Sequence, residues 1–490
     1  MICVPVTARN IEDAVFEMSS ASKHADIDII ELRLDYIPEV KNAEICLEKL
    51  LKGKTKPVIV TNRPRREGGN FEGSEKDRLC LLQKAIELGA DYVDVEYDSA
   101  SHISRRDGSK IIVSYHNFKE TPHNINKIYE DISQCKPDIV KIVTYANDIT
   151  DNVRIFELLK IVNIPTISFC MGEFGCISRI LTRKYGGVLT FASLERGKES
   201  APGQLTVDEL SNIYHFKSIN VDTGIYGIVG NPISHSISPI IHNSSFSEKG
   251  LNNVYVPMKV LDIGSFIKEF RKMDLRGLSV TIPHKESIIP FLDDIENTAR
   301  KIGAVNTVVN QRGKLIGYNT DCMAAIKGLV SSMSGEEIAL KGKKVAIIGA
   351  GGAARAIAFG LKGKGCDITI HNRTLERAHK LSVDVGCGFK GFDEIKELNT
   401  DILINCTSIG MFPKVEESPV PKDVLKEGMI VFDAVYNPIE TRLLHDAKER
   451  GCYTVNGLTM FINQAAEQFR LWTNIEPPVE LMKNVAEDVL

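Results

Sequence analysis

The chain has 490 residues, 43% hydrophobic and 25% charged, with a formal net charge of −4, which is the balance of a globular protein of two to four domains. That charge leaves no electrostatic footprint for nucleic acid or an anionic membrane, and no apolar run approaches the ~18 residues of a membrane span. Eleven cysteines without a Cys-x-x-Cys pair exclude a disulfide scaffold and give no metal site; reduced, mostly buried thiols in a cytoplasmic protein are expected. Met1-Ile2-Cys3-Val4-Pro5-Val6 shows no basic n-region or transit segment, again pointing to the cytoplasm, although a trimmed organellar protein would read the same way.

Residues 1–218 repeat a pattern of short β-branched runs separated by helix-like stretches. The runs are Ile2–Thr7, Asp28–Leu34, Pro57–Asn62, Asp91–Glu96, Lys110–His116, Asp138–Thr144, Ile164–Met171 and Gly187–Ser193. Between them lie amphipathic segments such as Glu75–Gly89, with Leu79, Leu82, Ala85 and Ile86 at helical spacing. Eight strands alternating with helices predict an α/β fold, a (β/α)8 TIM barrel; an open doubly wound sheet is the alternative.

Barrel enzymes carry catalytic groups at the C-terminal ends of their strands. Here those ends hold Glu31, Arg33, Arg63, Glu96, His116, Lys141 and Met171, followed by Arg179, Ser200 and Gln204. Lys141 interrupts the apolar run Asp138–Val143, which costs desolvation unless the amine is neutral or paired. A neutral buried amine is also how a Schiff-base nucleophile is made. Taken alone, each residue has an ordinary explanation: a strand-end Glu or Arg in a salt bridge, His116 in the core, Lys141 paired with Glu96 or Glu31. Their convergence on one rim is not ordinary.

Glu31-Leu32-Arg33-Leu34-Asp35, Val93-Asp94-Val95-Glu96, Ser114–Phe118, Val140-Lys141-Ile142, Met171-Gly172 with Ser178-Arg179, and Ser200–Gln204 occur in order. This set resembles the type I 3-dehydroquinate dehydratases across 1–218. The resemblance implies that Lys141 forms an imine with the substrate's C3 ketone and that His116 moves the C2 proton, then protonates the departing C1 hydroxyl. It implies Glu96 as the group orienting His116 and Arg179 as the carboxylate fork. Glu31, Arg33 and Arg63 would hold ring hydroxyls, with Ser200 and Gln204 on a closing loop.

A short polar join, Ser218–Thr223, follows the last barrel helix, Val207–Phe216, and precedes a strand at 225–229. Further on, the strand Lys344–Ile348 runs into Gly349-Ala350-Gly351-Gly352-Ala353-Ala354 and a helix, Arg355–Lys362. Such a turn lets the backbone approach a pyrophosphate at a helix N-terminus. The next strand, Asp367–His371, ends in Asn372-Arg373-Thr374 with Arg377 beyond, where an NAD-binding fold places an acid. Two cations and a hydroxyl suit a 2′-phosphate, so NADP(H) is expected over NAD. Strands at Asp401–Cys406 and Met429–Val435 continue a Rossmann lobe.

Between these, Gly230–Pro239 sets two hydroxyls, Ser236 and Ser238, just before a helix; anion binding and N-capping explain them equally. Ser279–Lys285, Gly303–Thr307, Gly317–Asp321, Asn405–Ser408, Asp433–Pro438 and Gly457–Gln468 follow. Together they resemble shikimate dehydrogenase over about 222–490. The resemblance implies that Ser236 and Ser238 bind a carboxylate and that Thr281, Asn306 and Gln464 hold ring hydroxyls, with Tyr436 nearby. Lys285 and Asp321 would form the dyad at C4, where either can serve as the acid, since coupled groups titrate as a pair. Thr407 and Gly457 join Gly349–Ala353 on the cofactor side.

Three lobes are therefore expected: the barrel, 1–218; a substrate-binding lobe, 222–335, on which the C-terminal helices of 457–490 pack back; and a Rossmann lobe, 336–456. The two implied reactions are consecutive, so the sequence reads as a fused bifunctional enzyme of aromatic amino-acid precursor synthesis. Small-molecule substrates are its expected partners, without nucleic acid or membrane. Two alternatives stand beside it: a second half that prefers quinate, and an inactive metabolite sensor, since fungal repressors resemble the same domains. Retention of Lys141, His116, Lys285 and Asp321 argues against the sensor.

Overall fold

The computed structural model describes residues 1–37, 40–233, 236–331 and 340–490. Ser234 and His235 of the serine motif, and the expected lobe boundary at 335/336, lie outside the described residues. The chain forms two compact units, residues 1–225 with 252–274 and residues 226–251 with 275–490.

In the first unit, the strands β1 (Ile2–Val6), β2 (Ile29–Arg33), β3 (Val58–Thr61), β4 (Tyr92–Glu96), β5 (Lys110–His116), β6 (Ile139–Tyr145), β7 (Thr166–Met171) and β8 (Thr190–Ser193) are the eight expected runs. Each pairs in parallel with its sequence neighbour from β1 to β7, and β8 returns to β1 through Ile2↔Thr190 and Cys3↔Phe191. At the remaining seam the Val188 N–H donates to the Thr166 carbonyl at 3.0 Å. The arrangement is a (β/α)8 barrel rather than an open doubly wound sheet. Because side chains alternate across a strand, every second residue faces the interior. Cys3, Ile29, Ile59, Ile112, Ile139, Ile167 and Leu189 form an apolar floor. Two residues nearer the C-terminal ends the same faces carry Glu31, Thr61, Ser114 and Lys141, all buried. The expected helix at Val207–Phe216 is present as a short π-helix, Glu209–Ile213, followed by a 3-10 turn at Phe216–Ser218.

The second unit contains two sheets. A mixed sheet runs in the order Gly224–Gly230, Leu275–Val280, Thr307–Gln311, Lys314–Tyr318, Asp294–Ile295. The other is wholly parallel, in the order Gly388–Gly391, Asp367–Asn372, Lys344–Ile348, Ile402–Asn405, Ile430–Asp433, Tyr453–Val455. Numbered along the chain, that is 3-2-1-4-5-6, the Rossmann order, whose ligand crevice lies where the order reverses. Here that point is between Lys344–Ile348 and Ile402–Asn405, at Gly349 and Thr407. Among the described residues no helix is long and apolar enough to cross a membrane.

The lone tryptophan, Trp472, lies on the helix Gly457–Thr473 and donates from Nε1 to the Val308 carbonyl at 3.0 Å. Its ring occupies space left by Gly277, where a Cβ would come within 2.4 Å of Nε1. Over-packing of this kind costs about 1–3 kcal/mol. Gly277→Ala is therefore expected to lower the urea midpoint followed by Trp472 fluorescence; an unchanged midpoint contradicts the packing argument.

Candidate active sites

Lys141 sits inside β6 with its Nζ 2.7 Å from Asp94 Oδ2, 3.5 Å from Glu31 Oε1 and 4.5 Å from the centre of the Phe191 ring. Of the two partners open to it from sequence, Glu31 is present and Glu96 is not; Asp94 takes that place. Arg63 lies beside them, donating from Nη1 to Glu96 at 2.6 Å and to Ser114 Oγ at 2.7 Å, and from Nη2 to Asp94 Oδ1 at 2.8 Å. Burial alone would push the Asp94 carboxyl up, but Arg63 and Lys141 hold it far below the usual carboxylate range.

Glu96 does not orient His116. Its two oxygens are held by Arg63 and by the buried Arg78. The partner is Glu67, 2.9 Å from His116 Nδ1 and accepting the His116 backbone N–H at 3.1 Å. Glu67 ends a short 3-10 turn, Arg65–Glu67, which strand periodicity gives no reason to place in the site. The signal lies in the glycines that follow. Gly68 has φ +73°, and a Cβ on Gly69 would meet the Arg63 carbonyl at 2.0 Å, so only glycines let this loop fold beneath the rim. Burial, then Arg63 and Lys141, hold His116 well below the usual imidazole range, so it is neutral. Burial pushes Glu67 up to about 7, with Glu96 and Asp94 adding to the effect and Arg63 opposing it.

Of these, Lys141, Glu31, Arg63, Glu67, His116 and Phe191 line a cavity of about 70 Å³ that also takes in Arg33, Arg179, Ser200 and Gln204. Arg33 is forked onto Asp35 at 2.8 Å through both nitrogens. Ser200 donates its N–H to Gln204 Oε1 at 2.8 Å. Arg179 is 1% exposed and has no carboxylate partner among the described residues; it lies over the Phe169 ring at 4.5 Å and donates to the Pro202 carbonyl at 3.4 Å. Burial lowers it to about 10. The Arg179 Nε and Gln204 Nε2 donors are buried without acceptors. A buried cation beside unused donors asks for an anionic ligand.

In the second unit a cavity of about 430 Å³ is lined by Ser236, Ser238, Thr281, Lys285, Asn306, Asp321, Tyr436 and Gln464, with Gly457 and Ala353. Lys285, on the short helix His284–Ser287, has its Nζ 2.5 Å from Asp321 Oδ2. Asn306 Nδ2 donates to the other Asp321 oxygen at 2.8 Å. Ser238 opens the helix Ser238–Glu248, and its N–H donates to Ser236 Oγ at 3.3 Å. Two wall residues given no role from sequence, Ser279 and Gln468, bond to each other at 2.9 Å; they stand at the ends of the motifs Ser279–Lys285 and Gly457–Gln468.

The dinucleotide turn adjoins this cavity: a Cβ on Gly352 would lie 3.5 Å from Lys285 Cδ. Gly349 has φ +109° and packs against Cys406, where a Cβ would come within 3.1 Å of its carbonyl. Ala350 follows, and Gly351 caps the helix Gly352–Gly363 with open space around it. Asn372 donates to the Thr374 carbonyl at 2.8 Å, and Arg373, Thr374 and Arg377 are exposed. Neither arginine has a carboxylate partner among the described residues. Thr407 Oγ1 donates to Asn405 Oδ1 at 2.7 Å. An uncrowded glycine turn, a helix start and two unpaired cations fit a 2′-phosphorylated dinucleotide.

A barrel with an amine buried on its catalytic rim, followed by a dinucleotide-type reductase with a Lys–Asp dyad, defines a two-site enzyme, a lyase and an oxidoreductase in one chain. The comparisons agree. The chain matches the Type I 3-dehydroquinase family over residues 2–221, the shikimate dehydrogenase substrate binding domain over 228–308, the Shikimate / quinate 5-dehydrogenase family over 331–455 and the Shikimate 5'-dehydrogenase C-terminal domain over 457–487. It is 43% identical to the bifunctional 3-dehydroquinate dehydratase/shikimate dehydrogenase, chloroplastic, of Arabidopsis thaliana, over 98% of this chain and 83% of that protein. A shikimate dehydrogenase (NADP(+)) of Pyrococcus furiosus is 45% identical over 55% of this chain and 97% of its own length. A crystal structure of a shikimate dehydrogenase in complex with NADP+ matches with a TM-score of 0.53 and 43% identity, over 55% of this chain and 97% of that one. The chain belongs to the bifunctional 3-dehydroquinate dehydratase/shikimate dehydrogenase family.

Carboxyl-region infrared or 13C NMR titration of the ligand-free protein is expected to show one carboxyl titrating at about 7, absent in Glu67→Gln. The buried Asp433, pushed up to about 6, titrates in both proteins; a difference between wild type and Glu67→Gln that shows no carboxyl above the ordinary range contradicts the burial argument.

Proposed function

We propose that this chain dehydrates 3-dehydroquinate to 3-dehydroshikimate in its barrel and reduces that product to shikimate, with NADPH, in its second unit. The observation that carries the first reaction is Lys141, buried and held between Asp94 and Glu31 at the head of the cavity. Once deprotonated, its amine adds to the C3 ketone, and loss of water leaves a protonated imine that draws electrons from the C2–H bond. His116, kept neutral, takes the C2 proton and returns a proton as the C1 hydroxyl leaves as water. An ionised Glu67 accepts from Nδ1–H and leaves the Nε2 lone pair as the base; a protonated Glu67 donates to Nδ1 and forces the proton onto Nε2. Glu67, not Glu96, therefore sets the tautomer. Arg179 takes the substrate carboxylate as a charge-assisted fork, Glu31, Arg33 and Arg63 stand at the ring hydroxyls, and Ser200 and Gln204 cover the site.

In the second unit Lys285 delivers a proton to the alkoxide developing at C3, the carbonyl carbon of 3-dehydroshikimate, and Asp321, held by Asn306, orients it. Ser236 and Ser238 bind the carboxylate at a helix start, while Thr281, Asn306 and Gln464 hold ring hydroxyls beside Tyr436. The turn Gly349–Ala353, with Asn372, Arg373, Thr374, Arg377, Thr407 and Gly457, holds NADP(H), which when bound supplies the hydride. We assign three lobes, 1–218, 222–335 with 457–490, and 336–456. The eleven free thiols fit a reducing compartment such as the cytoplasm. Quinate is the second substrate to consider, because the matched family is described as Shikimate / quinate 5-dehydrogenase and a wall of hydroxyls accommodates an added C1 hydroxyl.

Borohydride added during turnover of 3-dehydroquinate is expected to leave a reduced adduct on Lys141, located by mass spectrometry; no adduct, or full dehydration by Lys141→Ala, rejects the imine. Replacing Arg373 and Arg377 by serine is expected to raise KM for NADPH by roughly tenfold or more, as loss of charged hydrogen bonds does, and to leave NADH nearly unchanged. Equal losses with both cofactors reject the 2′-phosphate assignment. The same assay run with shikimate and quinate ranks the two substrates.

A further inference from the structure

Behind the barrel cavity runs a line of buried groups of alternating charge, only part of which the chemistry above uses. Its outer end is Arg78, on the helix Glu75–Glu87, fully buried and outside the cavity wall. Arg78 Nη1 donates to one Glu96 oxygen and, at 3.2 Å, to the Asn62 carbonyl. Its Nε and Nη2 donate to Glu75 at 2.9 and 2.6 Å. The other Glu96 oxygen receives Arg63 at 2.6 Å, Arg63 reaches Asp94 at 2.8 Å, and the second Asp94 oxygen faces Lys141 at 2.7 Å. From helix to nucleophile the order is Arg78, Glu96, Arg63, Asp94, Lys141, each carboxylate shared between two cations.

None of the three middle members is more than 3% exposed, so water cannot replace a lost partner, and breaking one member of a buried pair leaves an uncompensated charge. Without Arg78, Glu96 would have Arg63 as its only cation. Arg63 would then be drawn toward Glu96 and away from Asp94, and Asp94 would lose the partner that fixes its orientation against Lys141.

We propose that Arg78 is a positioning residue for the dehydration: acting through Glu96 and Arg63, it holds the Asp94 carboxylate against Lys141 without touching substrate. This rests on the reading of Lys141 as the imine-forming amine. A readout is available because the groups facing Glu67, whose ionisation sets the acid limb of the dehydration profile, are His116, Arg63, Glu96, Asp94 and Asp98. Uncovering the Glu96 charge therefore moves that limb.

The full chain is compared as wild type, Arg78→Met, Arg78→Lys and Arg78→Met with Glu96→Gln, by pH profile and by borohydride trapping of 3-dehydroquinate. Arg78→Met is expected to lower kcat about a hundredfold, the scale of a misplaced catalytic group, with little change in KM. Its acid limb should move up by roughly one pH unit, as expected for a unit charge lost several ångströms away. Arg78→Lys should recover most of the rate, and the double variant, which removes the carboxylate with its counter-ion, should bring the limb back toward wild type. An unmoved limb in Arg78→Met, or a double variant no nearer wild type than the single one, overturns the proposal. If Arg78→Met does not fold, a folded double variant with a near-wild-type limb supports the coupling, and a double variant that also fails to fold overturns it. Absence of a Lys141 adduct in the wild type rejects the underlying reading and this proposal together.

Discussion

An ammonium group sunk into a barrel of parallel strands has no water to stabilise it, so its compensating charge has to come from neighbouring strands. Lys141 imposes that requirement on the whole catalytic end of the first unit. Asp94 answers it at 2.7 Å and Glu31 at 3.5 Å, but each added carboxylate must itself be satisfied. Arg63 follows for Asp94, Glu96 for the second arm of Arg63, and Arg78 for Glu96. The sequence of buried pairs ends only where Glu75, on the outer helix, is 45% exposed in its side chain and water can take over. The rim is thus continuous with the helix layer, although only Lys141, Glu31 and Arg63 of this set line the cavity.

The same constraint separates His116 from its surroundings. Burial, with two cations near it, keeps the imidazole neutral, while burial, with Glu96 and Asp94 beside it and against Arg63, makes it costly for Glu67 to carry a charge. Burial dominates in both, favouring the neutral imidazole and the neutral carboxyl alike; Arg63 and Lys141 add to the first, Glu96 and Asp94 to the second, where Arg63 opposes them. Groups whose environments push them apart in this way are the means by which one site runs acid and base steps at a single pH.

Most of this was legible in the sequence wherever a residue's position follows from strand periodicity. The eight barrel strands stand out because each is an apolar run bounded by turns, and Glu31 with Arg33, or Asp94 with Glu96, share a face because they are two apart. The same periodicity explains why Asp94 went unassigned: it is as well placed as Glu96, and only the direction of Arg63 and Arg78 decides which of them meets Lys141. Glu67 sits on a turn, where no period applies, and its glycines reveal their purpose only once Phe118 and the Arg63 carbonyl are in place. The Rossmann edge strands Gly388–Gly391 and Tyr453–Val455 are short and partly exposed, so hydrophobic pattern alone does not mark them. The run Val207–Phe216 is amphipathic enough to look helical, and is so over Glu209–Ile213, but as a π-helix, a hydrogen-bond register that the hydrophobic pattern does not mark.

The two units also handle a carboxylate in different ways, and the difference follows from what else each site contains. In the barrel the charged groups are already paired with one another, and Arg179 is left as a buried cation without a carboxylate partner among the described residues; on the proposed function a substrate carboxylate would complete the balance, with a full charge as the receptor. In the second unit the dyad is a single close pair, Lys285 with Asp321 at 2.5 Å. An arginine placed there for the same purpose would compete with Lys285 for Asp321 and loosen the proton donor. On the function proposed here, two serine hydroxyls at a helix start would attract the anion with dipoles instead, leaving the dyad intact. With a net charge of only −4 over 490 residues, neither site draws on a long-range field. Each has to recognise its anion by the local device that its own chemistry tolerates.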